Sequence, residues 1–195
     1  MVSDSVADSS TRLDLVDCSA LAKVAVRTNP YGPSRQAVAE RLGVQFGRSE
    51  RHSDGVLVVG TLPGGWLLLG RPGLAAELVE RERRIVGEEP VTVVDLTHMS
   101  VLLRVTGRRA ADLLAKISLV DLADRAVPVG GVLRTAVAGV TCTIIRDDGG
   151  AHGDTAGGAR SYLLLVDRSY GDYLVDVLVD AGAELGIAEV STPGA

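Results

Sequence analysis

The side chains able to do chemistry in this chain are few and scattered. Its histidines are His52, His98 and His152, and its cysteines are Cys18 and Cys142. No histidine stands in H-E-x-x-H, and no Cys/His pairing has zinc spacing. His98 is the best placed. It follows an apolar run in Val94-Asp95-Leu96-Thr97-His98, where a carboxylate and a hydroxyl beside an imidazole suit acid–base work. The same residues suit a turn in which Asp and Thr bond local backbone amides, and that reading is the stronger. His52 and His152 fall in polar loops and read as solvated. Cys142 alternates with Val140 and Ile144, the pattern of a buried thiol. Nothing pairs it with a histidine as a nucleophile.

Glycines do not supply a cofactor fingerprint either. There is no G-x-G-x-x-G and no G-x-x-x-x-G-K-[ST]; the 23 glycines fall at turns and helix ends, where positive φ is needed. The acidic stretch Asp147-Asp148-Gly149-Gly150-Ala151-His152-Gly153-Asp154 invites a calcium reading. An EF-hand loop begun at Asp147 needs a bidentate Glu at its twelfth position, and Gly158 stands there. A mobile hairpin loop over 147–159 is the better expectation.

Two groups of residues are candidates for an interface rather than for catalysis. Arg108 and Arg109 fall in the first turn of a helix, where positive charge opposes the dipole, a placement consistent with an acidic partner. Tyr170 and Tyr173 lie on the stripe of the last helix, with Leu174, Val177, Leu178, Ala181 and Leu185, and most of that stripe reads as core. Arg81 to Arg84 read as the solvated side of another helix.

These residues must be carried by two successive α+β patterns. In the first, Ala20 to Arg27 is a strand, and Asn29 to Pro33 a turn. Ser34 caps a helix over Arg35 to Leu42 that Gly43 stops. Val56 to Val59 and Trp66 to Leu69 form a hairpin about Pro63-Gly64-Gly65. Pro72 opens a helix with Leu74, Leu78 and Ile85 on one face. Its wet side carries Glu77–Arg81 and Glu80–Arg84 pairs, and Gly87 ends it. Val91 to Leu96 is the closing strand. The order β-α-β-β-α-β is ferredoxin-like.

The second pattern starts with Val101 to Val105, and Thr106 caps a helix with Ala110, Leu113, Leu114 and Ile117 inward. Val132 to Val137 and Val140 to Ile145 form a hairpin about Ala138-Gly139. Tyr162 to Val166 is a strand. Ser169-Tyr170-Gly171-Asp172 is a capping box for the last helix, and Gly186 closes it. The expected division is a disordered tail over 1–12, lobes over 13–98 and 99–190, and a tail over 191–195.

Length and composition fit this reading. The 195 residues are 46% hydrophobic but only 3% aromatic, with a mean hydropathy of +0.23. Disorder is excluded by that apolar content, and two cysteines make no disulfide scaffold. A net charge of −5 disfavours nucleic-acid binding. No apolar run reaches the length of a membrane span, and Met1 to Thr11 lacks the regions of a signal peptide. The expectation is a soluble cytoplasmic protein.

A family resemblance emerges from the ordered motifs. They are Trp66 to Leu69, Val94 to Ser100, Leu103 to Gly107, Ala110 to Lys116, Leu119 to Leu122, Leu133-Arg134-Thr135, and Arg168-Ser169-Tyr170 entering a helix with Tyr173-Leu174 and Asp180-Ala181. Leu21 to Arg27 matches a first strand. In this order they resemble the gamma subunit of heterotetrameric sarcosine oxidase, over Leu13 to Gly186. The resemblance implies two α+β lobes like the folate-binding domain of the aminomethyltransferases and the N-terminal domain of a tRNA-modification GTPase. It implies a non-catalytic accessory subunit whose partners are larger alpha and beta flavoprotein subunits and a small delta subunit.

Such a complex oxidises sarcosine, reduces oxygen to peroxide and passes the one-carbon unit to tetrahydrofolate. Its FAD, FMN and NAD sit on the other chains or their interfaces. Asp167 stands where the family often has Pro, Leu174 to Leu178 where it often has Trp, and the 147–159 loop is longer. A related N-methyl or secondary amine is therefore an alternative substrate. The competing expectations are a stand-alone folate-binding aminomethyltransferase-like protein, with Asp95 as its carboxylate, and an interaction module without an oxidase. The resemblance also suggests that leftover aliphatic surface is buried against partner subunits.

Overall fold

A computed structural model describes residues 13–84, 91–150, 159–187 and 190–191. The chain opens with β1 (Asp14–Asp17), followed by β2 (Ala22–Arg27), α1 (Ser34–Leu42), β3 (Ser49–Arg51), β4 (Leu57–Leu62), β5 (Gly65–Gly70), α2 (Ala75–Arg83) and β6 (Thr92–Asp95). Then come β7 (Ser100–Gly107), α3 (Ala110–Ile117), β8 (Val132–Val137), β9 (Val140–Arg146), β10 (Arg160–Asp167) and α4 (Gly171–Gly182). The strands make two antiparallel five-stranded sheets, ordered β3-β4-β5-β2-β6 and β1-β7-β10-β9-β8.

The first sheet contains the ferredoxin-like arrangement plus one strand. β6, β2, β5 and β4 lie in that order, and β3 adds an edge. The second sheet repeats the pattern with one substitution. β7, β10, β9 and β8 match β2, β5, β4 and β3, but among the described residues no strand following α4 takes the place of β6. β1 takes it, pairing Leu15 with Val105 and Val16 with Arg104. The N-terminal strand thus completes the C-terminal lobe, whereas the sequence reading placed residue 13 onward in the first lobe. Four residues with no turn signal around them do not announce a partner some ninety positions away.

Ser191 also departs from the expected tail. Its N–H donates to Leu15 O at 3.0 Å and its carbonyl accepts from Asp17 N at 2.8 Å. The expectations for residues 1–12, 151–158 and 192–195, and for Ile85 and Gly87, lie outside the described residues.

Both hairpins form as their turns dictate. Val137 faces Val140 across Ala138 and Gly139, whose φ angles of 49° and 80° suit a two-residue turn matched to the strand twist. The helix starts differ from the capping pattern. Pro33, not Ser34, is the cap of α1, and Ser34 is buried as its first residue. Thr106 lies in β7 with its hydroxyl 3.0 Å from Ser161 Oγ, and α3 starts after Arg109. Asp167, not Ser169, caps the 168–170 turn, accepting from Ser169 N at 3.1 Å and from its hydroxyl at 2.8 Å. On α2, Arg81 turns to Asp54 (2.7 Å) and Glu82 (2.6 Å) rather than Glu77.

Alternation along the strands builds four layers. Val24, Val26, Trp66 and Leu68 pack under α1 and α2 with Val38, Leu42 and Leu78. Leu103, Val105, Tyr162 and Leu164 pack under α3 and α4 with Leu113, Leu114, Leu174 and Leu178. The opposite faces meet each other, with Leu57, Val59, Leu67 and Leu69 against Leu102, Ile145 and Leu163. Strands of this inner layer are buried on both faces, so they need apolar residues at consecutive positions; β5 is buried throughout. This inter-sheet layer gives the aliphatic excess an internal destination. One margin of the layer is stitched by backbone bonds between the sheet edges, Ser49 N to Gly130 O at 2.7 Å and Val132 N to Gly47 O at 3.0 Å.

Candidate functional site

The turn that carries Asp95, Thr97 and His98 is held by its own polar groups. Asp95 Oδ1 accepts from Thr97 N at 2.8 Å, and Thr97 Oγ1 accepts from Lys23 N at 3.1 Å. Leu96 N donates to Lys23 O at 2.7 Å, extending the contact with β2. Hydrogen bonds from Thr97 hold the Asp95 carboxyl below the usual range. Asp95 and His98 are both exposed. This is the Asx-type turn the residues suit. Asp95 is engaged with its own turn rather than facing an enclosed pocket, so it does not fit the folate-binding carboxylate considered for it.

The other reactive groups are built into the core. Cys142 is fully buried between β8 and β10, and burial pushes its thiol up to about 12. Cys18 is buried in the inter-sheet layer, and desolvation raises its thiol against the opposing pull of Arg104. The single tryptophan, Trp66, is buried with its indole N–H donating to Val44 O at 2.7 Å. Lys23 is fully buried, donating to Ser19 O at 2.8 Å and Leu21 O at 3.0 Å, and burial lowers its ammonium.

Of the four expected interface residues, Arg109 and Tyr173 bond to separate partners among the described residues. Arg108 and Arg109 are exposed before α3, where Arg109 Nε lies 3.3 Å from Asp112 Oδ2. Tyr170 and Tyr173 are about half exposed at the start of α4, and the Tyr173 hydroxyl donates to Ala138 O at 2.9 Å. Leu174, Leu178 and Leu185 form the buried part of the stripe.

One buried polar cluster was not foreseen. Arg104 projects from β7 into the inter-sheet layer, where Nη1 donates to Ser161 Oγ at 2.7 Å and Asp147 O at 3.1 Å. Its Nη2 lies 2.8 Å from Asp147 Oδ2, which Arg51 Nη2 also approaches at 2.7 Å from the other sheet. Asp148 is likewise engaged, bonding Arg146 Nη2 at 3.0 Å and Ser161 N at 3.0 Å. The carboxylates opening the 147–159 loop therefore join strands β7, β9 and β10 to β3. Arg104 inside the run Leu102-Leu103-Arg104-Val105 was the available signal, since a charge at an inward strand position must find a partner.

Comparison with known proteins fits this geometry. A model of the "Sarcosine oxidase, gamma subunit family" matches residues 34–184. The sarcosine oxidase subunit gamma of Corynebacterium sp. (strain P-1) is 29% identical over 175 residues, covering 87% of this chain and 79% of that protein. The subunit gamma of strain U-96 is 26% identical over 173 residues, covering 87% and 78%.

Among solved structures, a heterotetrameric sarcosine oxidase from Corynebacterium sp. U-96 in complex with pyrrole 2-carboxylate superposes with a TM-score of 0.73 at 24% identity, covering 92% of this chain and 88% of that one. Glycine cleavage system aminomethyltransferase T from Bartonella henselae superposes with a TM-score of 0.65 at 16% identity, covering 91% and 47%. The arrangement of two α+β lobes is shared with both.

Proposed function

This chain belongs to the sarcosine oxidase gamma subunit family, and on that premise we propose that it is the accessory subunit of a heterotetrameric, sarcosine-oxidase-type flavoenzyme. The match to the family over residues 34–184 carries the reading. The reading is supported by how the chain uses its reactive groups: Asp95 holds a turn, Cys142 and Trp66 fill cores, and Asp147, bonded to Arg104 of its own sheet and to Arg51 of the other, joins two sheets.

In this reading the chain supplies shape to an assembly with larger alpha and beta subunits and a small delta subunit. Those chains carry FAD, FMN and NAD and hand the one-carbon unit to tetrahydrofolate. Sarcosine, or a related N-methyl or secondary amine, is the substrate of the complex.

The test is co-expression with the flavoprotein chains of the proposed complex, followed by a flavin spectrum and an amine panel. Sarcosine-dependent peroxide formation by a complex retaining this chain is expected. An isolated chain that by itself transfers a one-carbon unit to tetrahydrofolate, or a complex equally active and stable without it, would contradict the reading.

A further inference from the structure

The inter-sheet layer ends differently on its two sides. At one end Arg104 is neutralised by Asp147. At the other the sheets part into a cleft of about 480 Å³ lined by Arg27 of β2 and Arg134 of β8, one arginine from each sheet. Arg27 Nη1 donates to Thr61 Oγ1 at 3.1 Å. Its guanidinium lies across Gly65, where a Cβ would come within 2.2 Å of Nη1, so the absence of a side chain there makes room for it.

Among the described residues no carboxylate pairs with either arginine. Asp167 lines the same cleft, but its carboxylate accepts from Ser169 N at 3.1 Å and the Ser169 hydroxyl at 2.8 Å. At the opposite end of the layer Arg104 and Arg51 are both paired with Asp147, and the chain as a whole carries a net charge of −5. Two cations facing one cleft therefore stand out against their surroundings. Burial, and the nearby charge of Arg134, lower the Arg27 guanidinium, a repulsion that a bound anion would relieve.

The rest of the lining is that of a small-molecule site. Leu67 and Leu165 give apolar wall, while Thr141, Thr143 and Tyr170 bring hydroxyls. A concave site with apolar walls and a few convergent polar groups suits a small ligand better than a flat protein contact. Guanidinium groups recognise carboxylate and phosphate alike. We propose that this inter-sheet cleft binds a small molecule bearing a carboxylate or phosphate group, which Arg27 and Arg134 hold between the two sheets.

The test is an NMR titration of the full chain with inorganic phosphate and, separately, pentanoate. Saturable amide shifts at Thr61, Arg134 and Thr143 are expected, and the tighter probe identifies the preferred anionic group. Arg134→Gln, on an edge strand, should weaken binding at least several-fold, and Arg27→Gln should abolish it while leaving the unliganded chain equally or more heat-stable. Absence of saturable shifts with either probe, or shifts unchanged in both variants, would overturn the proposal. So would loss of probe binding on assembly with partner chains together with weakened assembly of Arg27→Gln, which would make the cleft a socket for a partner's carboxylate.

Discussion

Arg104 Nη2 and Asp147 Oδ2 lie 2.8 Å apart with their side chains 10% and 8% exposed, the most enclosed ion pair among the described residues. Removing one partner leaves an unpaired charge in a largely enclosed layer. Asp147→Asn or Arg104→Met is expected to cost about 3–5 kcal/mol, measured by urea unfolding. The double variant Arg104→Met/Asp147→Leu should recover part of that loss. Equal stability of Asp147→Asn and the parent would show that Asp147, which bonds Arg104 of its own sheet and Arg51 of the other, is not holding the sheets together.

The place of β1 gives a second expectation. Leu15 is 1% exposed within the core under α3 and α4, although it precedes the first lobe in sequence. Leu15→Ala should cost about 2–5 kcal/mol, as large-to-small core substitutions do. Asp14, exposed on the same strand, should tolerate Ala within about 0.5 kcal/mol. Thermal unfolding of the two variants compares them directly, and similar small losses would contradict the pairing of β1 with β7.

These two sites mark where sequence reading succeeded and where it stopped. The hairpins β4–β5 and β8–β9 were legible because their turn residues and strand alternation are local. The ferredoxin-like order followed from them. β1 and the Ser191 contacts were not legible, because each depends on a partner distant in the chain, while β3 pairs with nearby β4 but its Ser49-Glu50-Arg51 has no apolar alternation to mark it. Caps misled for a related reason: Ser34, Thr106 and Ser169 all have capping side chains, but α1 began one residue early and took Ser34, while the strand or turn before the other two helices ran on and took Thr106 and Ser169. The Arg104–Asp147–Arg51 cluster needed the order of the strands and the stacking of the sheets to become visible, although a charge inside an apolar strand pointed toward it.

Cys142 provides a pH-dependent expectation. Its ordinary value of 9.0 is raised to about 12 by burial in the folded chain. The unfolded thiol therefore ionises first, and the unfolded state binds fewer protons as pH rises between those values. Stability conferred by the buried thiol is fully present below about pH 9 and declines above it, by up to about 1.4 kcal/mol per pH unit. Unfolding free energies of the parent and Cys142→Ala should thus converge between pH 9 and pH 11. A constant difference across that window would contradict the burial of the thiol.

Tyr162 offers the opposite kind of substitution. Its hydroxyl is buried without a hydrogen-bond partner among the described residues, and its ring is fully enclosed by the core of the second lobe. Tyr162→Phe removes the stranded hydroxyl and keeps the ring. A gain of about 1 kcal/mol in unfolding free energy is expected. A loss of similar size would reveal a partner for the hydroxyl.

The central reading is that the chain works as one subunit of a larger flavoenzyme. Native mass spectrometry of the chain co-expressed with the flavoprotein chains of the proposed complex measures this most directly. The expected result is a single assembly containing one copy each of this chain, two larger chains and a small fourth chain. A mass spectrum in which this chain stays monomeric while the flavoprotein chains assemble without it would contradict that reading.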